Sequence, residues 1–281
     1  MNTLAPIGVF DSGVGGLSVL SQIRRRLPAE DLIYLADQAH VPYGPRQLEE
    51  VRRFSAVISR YLLEQGAKLI VVACNAASAA ALHDLRSSFP QAPFVGMEPA
   101  VKPAAEFTRS GVVGVLATPA TFQGALYASV VERFAQGVRL IQATCPGLVG
   151  QIEVGNLLGA ETRRILEEAL LPMLAEGIDT IVLGCTHYPF VIPLIQEIAG
   201  PQVRVVDPAP AVARQVGRVL ESRALLNPGN SSGGLRCLTT GDPARLQALL
   251  AQLIGERSTV QGLIWSSAGI KETDRTQTSV E

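Results

Sequence analysis

The sequence predicts an α/β protein made of two similar α/β domains with mostly parallel sheets. Three observations lead there. Short apolar runs alternate with longer amphipathic stretches along most of the chain. The apolar runs are rich in β-branched residues and lack polar alternation, as expected of strands covered on both faces of a parallel sheet. One segment is also echoed. Leu69–Ser78 (LIVVACNAAS) and Thr180–Pro189 (TIVLGCTHYP) each place an apolar run, a small residue, a cysteine and a polar residue in the same order.

In chain order, strands are expected at Ile7–Phe10, Leu32–Ala36, Leu69–Ala73, Val112–Leu116, Val138–Ile141, Thr180–Leu183, Val203–Val206, Arg236–Thr239 and Val260–Ile264. Between them, Arg46–Gln65, Thr162–Glu176 and Pro208–Ser222 read as helices. Alternation of this kind implies right-handed crossovers. Asp11–Gly16 leaves the first strand and opens a helix that ends at Arg24–Arg26, where cations suit the helix dipole. Pro42-Tyr43-Gly44 is a turn beyond the second strand, and Asn227–Gly234 is a surface loop. Prolines near 99–103 and 208–210 mark two crossings. They divide the chain into residues 1–98 plus 208–265 as one domain and 99–207 as the other, with 266–281 a flexible tail.

Composition narrows the class. With 281 residues, 47% hydrophobic and 17% charged, the chain can bury a core without staples. Lys plus Arg is 24 against 25 for Asp plus Glu, which gives no electrostatic reason to expect nucleic acid as a partner. No apolar run approaches the roughly eighteen residues that span a membrane, so no membrane partner is expected. The first residues, MNTLAPIGVF, carry no basic region before a long apolar stretch, so no secretory signal is expected. Cys74, Cys145, Cys185 and Cys237 are too few for a disulfide framework and too far apart for a CxxC knuckle. A reduced, cytoplasmic protein follows as the expectation. Lys68, Lys102 and Lys271 do not sit where a Schiff base would form, and neither GxSxG nor HExxH occurs.

Three constellations carry chemistry. In Asp11-Ser12-Gly13-Val14-Gly15-Gly16 the third glycine of a dinucleotide fingerprint would fall at Ser18, and no Walker lysine follows. The segment reads as a cradle of N–H groups for an anion, or as a tight strand-to-helix turn. Asp11 suits a base partner or an amine-binding carboxylate. Cys74 and Cys185 each end a strand where a helix begins, and a helix N-terminus lowers a thiol pKa from about 8.5. Two such thiols on facing domains can take a proton from one face of a carbon and deliver one to the other. The alternatives are that both are small buried hydrophobes, or that they form a structural disulfide, which a reducing compartment disfavours. His187, two residues past Cys185, suits the role of holding a thiolate or relaying its proton. His40 and His83 lack such a setting and read as structural. Cys185 and His187 lack the further local ligands that zinc would need.

The segments IGVFDSGVGGLSVL, YLADQAHVPYG, VVACNAAS, VLATPAT, CPGLVGQIE, VLGCTHYPF and LTTGDP occur in the order found in glutamate racemases. Over residues 7–265 the chain resembles that family, within the aspartate/glutamate racemase superfamily. The resemblance implies a cofactor-independent racemase, with no metal, that interconverts L- and D-glutamate for peptidoglycan. Its site would lie in the cleft between the two domains, and its partners would be glutamate and a second copy in a homodimer. By family match, Cys74 and Cys185 are the acid and base, Asp11 assists Cys74, and His187 and Glu153 assist Cys185. Asp11, Ser12, Tyr43, Gly44, Asn75, Ala76, Thr118, Thr121, Thr186 and His187 match substrate-binding positions. One departure stands out: the family usually carries Cys-Asn-Thr, and here Ala76 removes a hydroxyl. Two alternatives therefore stay open: a racemase of aspartate or another acidic amino acid, or a non-catalytic regulatory protein on the racemase scaffold.

Overall fold

Each apolar run expected as a strand forms one in the computed structural model, which describes residues 2–273. The first half holds β1 (Ile7–Asp11), α1 (Leu17–Arg26), β2 (Leu32–Ala36), α2 (Leu48–Glu64), β3 (Leu69–Val72), α3 (Asn75–Ser88) and β4 (Phe94–Gly96). The second holds α4 (Val101–Phe107), β5 (Val112–Ala117), α5 (Pro119–Gln123), α6 (Ala125–Phe134), β6 (Arg139–Ala143), α7 (Leu148–Glu153), α8 (Ala160–Ala175), β7 (Thr180–Gly184), α9 (Ile192–Ala199) and β8 (Arg204–Val206). The chain then returns to the first sheet with α10 (Ala209–Ser222), β9 (Leu235–Thr239), α11 (Pro243–Ile254), β10 (Val260–Ser266) and β11 (Gly269–Glu272).

Two sheets result, ordered β11-β10-β9-β2-β1-β3-β4 and β6-β5-β7-β8. Their pairings are parallel except for the β10–β11 hairpin. The order β2-β1-β3-β4 in one is repeated by β6-β5-β7-β8 in the other. The echoed cysteine segments therefore occupy corresponding strands, β3 and β7.

The absence of polar alternation has a direct cause. Ile7, Val9, Leu69 and Val71 face one apolar cluster, with α1 and α10. Phe10, Ile70 and Val72 face another, with Phe54 and Ile58 of α2 and Leu82 and Leu85 of α3. Each central strand is apolar on both faces because a helical layer covers each face. The first cluster continues into the second half through Leu148, Ile165, Ile181 and Leu183, so the halves share apolar packing.

Two strands were not expected. Phe94–Gly96 is too short to stand out in the sequence. Gly269–Glu272 corrects the expected tail at 266–281: it pairs antiparallel with β10, Trp265 opposite Ile270, and both side chains pack on the second cluster. A polar turn with one apolar pair suffices for a hairpin. The rest of that expected tail, from 274 onward, lies outside the described residues. No helix among the described residues is long and apolar enough to cross a membrane.

Candidate active site

In parallel sheets ordered in this way, ligands bind beyond the carboxyl ends of the strands, where crossovers from neighbouring strands diverge. Here each sheet has such a point, and the two share one cavity. Ser12 follows β1, Cys74, Asn75 and Ala76 follow β3, Thr118 follows β5, and Cys185, Thr186 and His187 follow β7; all line it. Pro42, Tyr43, Gly44, Val149 and Gly184 complete the wall. The cavity measures about 20 Å³, which is room for about one water.

The glycine-rich loop is built to let the two halves meet. A side chain at Gly13 would collide with the Glu153 carboxylate, and one at Gly15 with His187 and Thr186. Two of the loop donors are engaged by the protein's own carboxylates. Val14 N–H donates to Glu153 Oε1 at 2.7 Å, and Gly16 N–H to Asp11 Oδ2 at 2.5 Å. Both bonds favour the reading of the segment as a tight strand-to-helix turn. The Tyr34 hydroxyl secures the loop by donating to the Gly13 carbonyl at 2.6 Å.

Cys74 caps the N-terminus of α3 in extended conformation, its carbonyl accepting from Ser78 N–H at 2.8 Å. The dipole alone would lower its thiol pKa. Instead burial, followed by the Asp11 charge, pushes it well above the usual thiol value. Burial also raises Asp11, against the opposing pull of His187 and the Cys74 hydrogen bond. In this geometry the Cys74 thiol holds its proton.

Cys185 differs. A short 3₁₀ turn, Tyr188–Val191, follows it rather than an α-helix start. Its support is lateral. Cys185 Sγ lies 3.9 Å from His187 Nδ1, and His187 Nε2 lies 2.7 Å from Glu153 Oε1. Burial opposes a charge on His187, yet Cys185 and Glu153 outweigh it and hold the imidazole well above its usual pKa. Burial likewise opposes the Glu153 charge, but His187, Gln38 and Val14 N–H bring its carboxyl below the usual value.

A β1 strand carrying an acid and a glycine turn, two sheet-end cysteines and a histidine–glutamate pair thus converge, and residues 7–216 match the family described as Asp/Glu/Hydantoin racemase. The chain belongs to the Asp/Glu/Hydantoin racemase family. It is 55% identical over 249 residues to a glutamate racemase of Roseiflexus sp. (strain RS-1), covering 88% of this chain and 92% of that relative. A glutamate racemase from Thermus thermophilus, solved with β-chloro-D-alanine, is 40% identical with a TM-score of 0.81, over 94% of this chain and 98% of that one. One from Francisella tularensis, solved with D-glutamate, is 28% identical with a TM-score of 0.81, over 92% and 96% of the two chains.

The remaining expected residues of this racemase fall into two groups. Ser12, Tyr43, Gly44, Asn75, Ala76, Thr118 and Thr186 are on the cavity wall. The Tyr43 hydroxyl is turned to Asp37 Oδ2 at 2.6 Å, and among the described residues neither amide atom of Asn75 has a partner. Asp11, Glu153 and Thr121 stand behind the wall. Thr121 Oγ1 lies 3.1 Å from Thr118 Oγ1, and Thr186 Oγ1 donates to Asp11 Oδ2 at 3.4 Å across the cleft. Sequence reasoning missed Gln38, which donates to Glu153 Oε2 at 2.9 Å. Its position beside Asp37 in the recognised YLADQAHVPYG segment was the only available signal.

Proposed function

We propose that this racemase interconverts L- and D-glutamate by passing the α-proton between Cys74 and Cys185, for use in peptidoglycan. The observation that carries the reading is that the two thiols line one small cavity from corresponding strand ends of the two sheets. In one direction the Cys185 thiolate, paired with the His187 cation, takes the α-proton. Cys74 S–H then delivers its own proton to the opposite face, leaving Cys74 as thiolate and Cys185 as thiol. The reverse reaction exchanges the roles. The unpartnered Asn75 amide suits a substrate carboxylate, and donors already in place stabilise the charge that builds next to the α-carbon. The thiols supply both acid and base, so the reading invokes no cofactor.

The reading extends to a domain division at residues 1–98 plus 208–265 against 99–207, to a homodimer, and to a reducing cytoplasm. Two sheets joined by crossings after β4 and β8 support the first, and four free cysteines the last. The test is L-glutamate with the purified chain in D₂O, following optical rotation and α-deuterium. Rotation decays to zero while deuterium enters the product, and Cys74→Ala and Cys185→Ala each abolish both signals. Full activity in either variant would refute the two-thiol reading. Turnover of L-aspartate in preference to L-glutamate would move the assignment to the aspartate alternative.

A further inference from the structure

Glu153 is held from both sides. Its Oε1 meets His187 Nε2 and Val14 N–H, each at 2.7 Å, and its Oε2 accepts from Gln38 Nε2 at 2.9 Å. Gln38 lies outside the cavity wall and is aimed by the first sheet. Parallel pairing of β2 with β9 sets Ala36 beside Thr239. Just beyond, Gln38 Oε1 accepts from the Thr239 hydroxyl at 2.9 Å. Thr239 Oγ1 itself accepts from Gly241 N–H at 3.0 Å, which leaves its single proton for Gln38. The amide is thereby oriented with its NH₂ toward Glu153. Gly241 permits the approach: a Cβ there would lie 2.7 Å from Gln38 Cβ.

We propose that Gln38 is a positioning residue for proton transfer at Cys185, fixing the Glu153 carboxylate that orients His187. The series Thr239, Gln38, Glu153, His187, Cys185 crosses from the first half to the second. Gln38 and Val14 therefore reach Glu153 only when the halves are together. Closure delivers two donors to the carboxylate and readies the Cys185 side at the moment the substrate is enclosed. This rests on Cys185 acting as one of the two bases. Among the described residues, the Tyr34 phenol on β2 also feels the Glu153 charge. Arg245 binds the Glu153 backbone carbonyl at 3.0 Å, and Asp11 lies across the glycine loop.

Gln38→Met keeps the length and removes the donor. The expected result is a fall in kcat/KM of roughly tenfold or more, the scale of a lost hydrogen bond to a charged group. The acidic limb of the kcat/KM–pH profile shifts upward, because Glu153 takes up a proton more readily. With α-deuterated substrates, the isotope effect grows for the enantiomer deprotonated by Cys185 and shrinks for the other. Gln38→Glu is worse near neutral pH and recovers relative to the unaltered chain as the pH falls, when a proton shared between the two carboxyls restores a donor. A fall below twofold in Gln38→Met, with an unmoved acidic limb, overturns the proposal. If that variant does not fold, Thr239→Val is measured instead: it frees the amide to rotate, and an unmoved limb there overturns it equally. Cys185→Ala separates the two readings. Full activity in it sinks the assignment of Cys185, whereas inactivity in it beside a neutral Gln38→Met sinks only the role of Gln38.

Discussion

Asn75 is 3% exposed, and both polar atoms of its side chain lack a hydrogen-bond partner among the described residues. An orphaned buried amide costs about 1–3 kcal/mol in the free protein. A substrate carboxylate would relieve that cost on binding, so affinity and stability pull this residue in opposite directions. Asn75→Leu is expected to raise KM about tenfold or more while leaving the unfolding temperature of the free protein unchanged or a few degrees higher, as kinetics and calorimetry would show. Its neighbour Ala76 presents a methyl group to the same wall. Ala76→Thr adds a hydroxyl there and is expected to lower KM for glutamate about two- to tenfold, as one neutral hydrogen bond of about 0.5–1.5 kcal/mol allows. An unchanged KM would show that the hydroxyl does not reach the substrate. The cysteines, Asp11 and His187 were legible in the sequence, because each sits at a strand end recognisable from local pattern. Gln38 and the free amide of Asn75 were not. Their meaning comes from partners, present or missing, that only the β2–β9 register and the meeting of the halves determine.

Asp179 ties the turn after α4 to the start of β7. Its carboxylate accepts from the Thr108 hydroxyl at 2.7 Å, Arg109 N–H at 2.6 Å, Ser110 N–H at 2.7 Å and the Thr180 hydroxyl at 3.0 Å. Partial burial works against its charge, yet these four donors outweigh it and hold the pKa at about 2. A folded pKa below the unfolded one stabilises above the unfolded value, and that stability is lost as the pH falls through the folded value. Asp179→Asn is therefore expected to unfold more easily at neutral pH, with the gap to the unaltered chain closing between about pH 4 and about pH 2. Denaturant titrations across that range check it; a gap independent of pH would show that the charge is immaterial. At this scale the central strands were readable because two-sided burial leaves a run with no polar interruption. The helix expected after Cys185 gave way to a 3₁₀ turn at Pro189, and β11 was hidden by its polar residues.

The halves meet tightly around the site. Ser18 Oγ donates to the Thr186 carbonyl at 3.0 Å, and Ala120 N–H to the Gly44 carbonyl at 3.0 Å. A cavity of about 20 Å³ is too small for an amino acid, so entry and release are expected to require the halves to separate. Gly44 touches Thr118 across the cleft, and a Cβ on it would stand 2.7 Å from Thr118 Cβ. Gly44→Ala is expected to hold the cleft ajar, lowering kcat about tenfold or more and speeding amide exchange around Gly44 and Ala120. Unaltered kcat would show that closure is not needed for proton transfer. The sequence echo exposed the two related halves but said nothing of how closely they shut. Their relatedness is also incomplete: a carboxylate backs one thiol, and an imidazole with its own carboxylate backs the other. Mirror-image molecules have equal energy in water, so the reaction has an equilibrium constant of one and kcat/KM must be identical in both directions. Unequal backing of the two thiols is then confined to kcat and KM separately. Whichever hand of glutamate has the lower KM must turn over more slowly by the same factor.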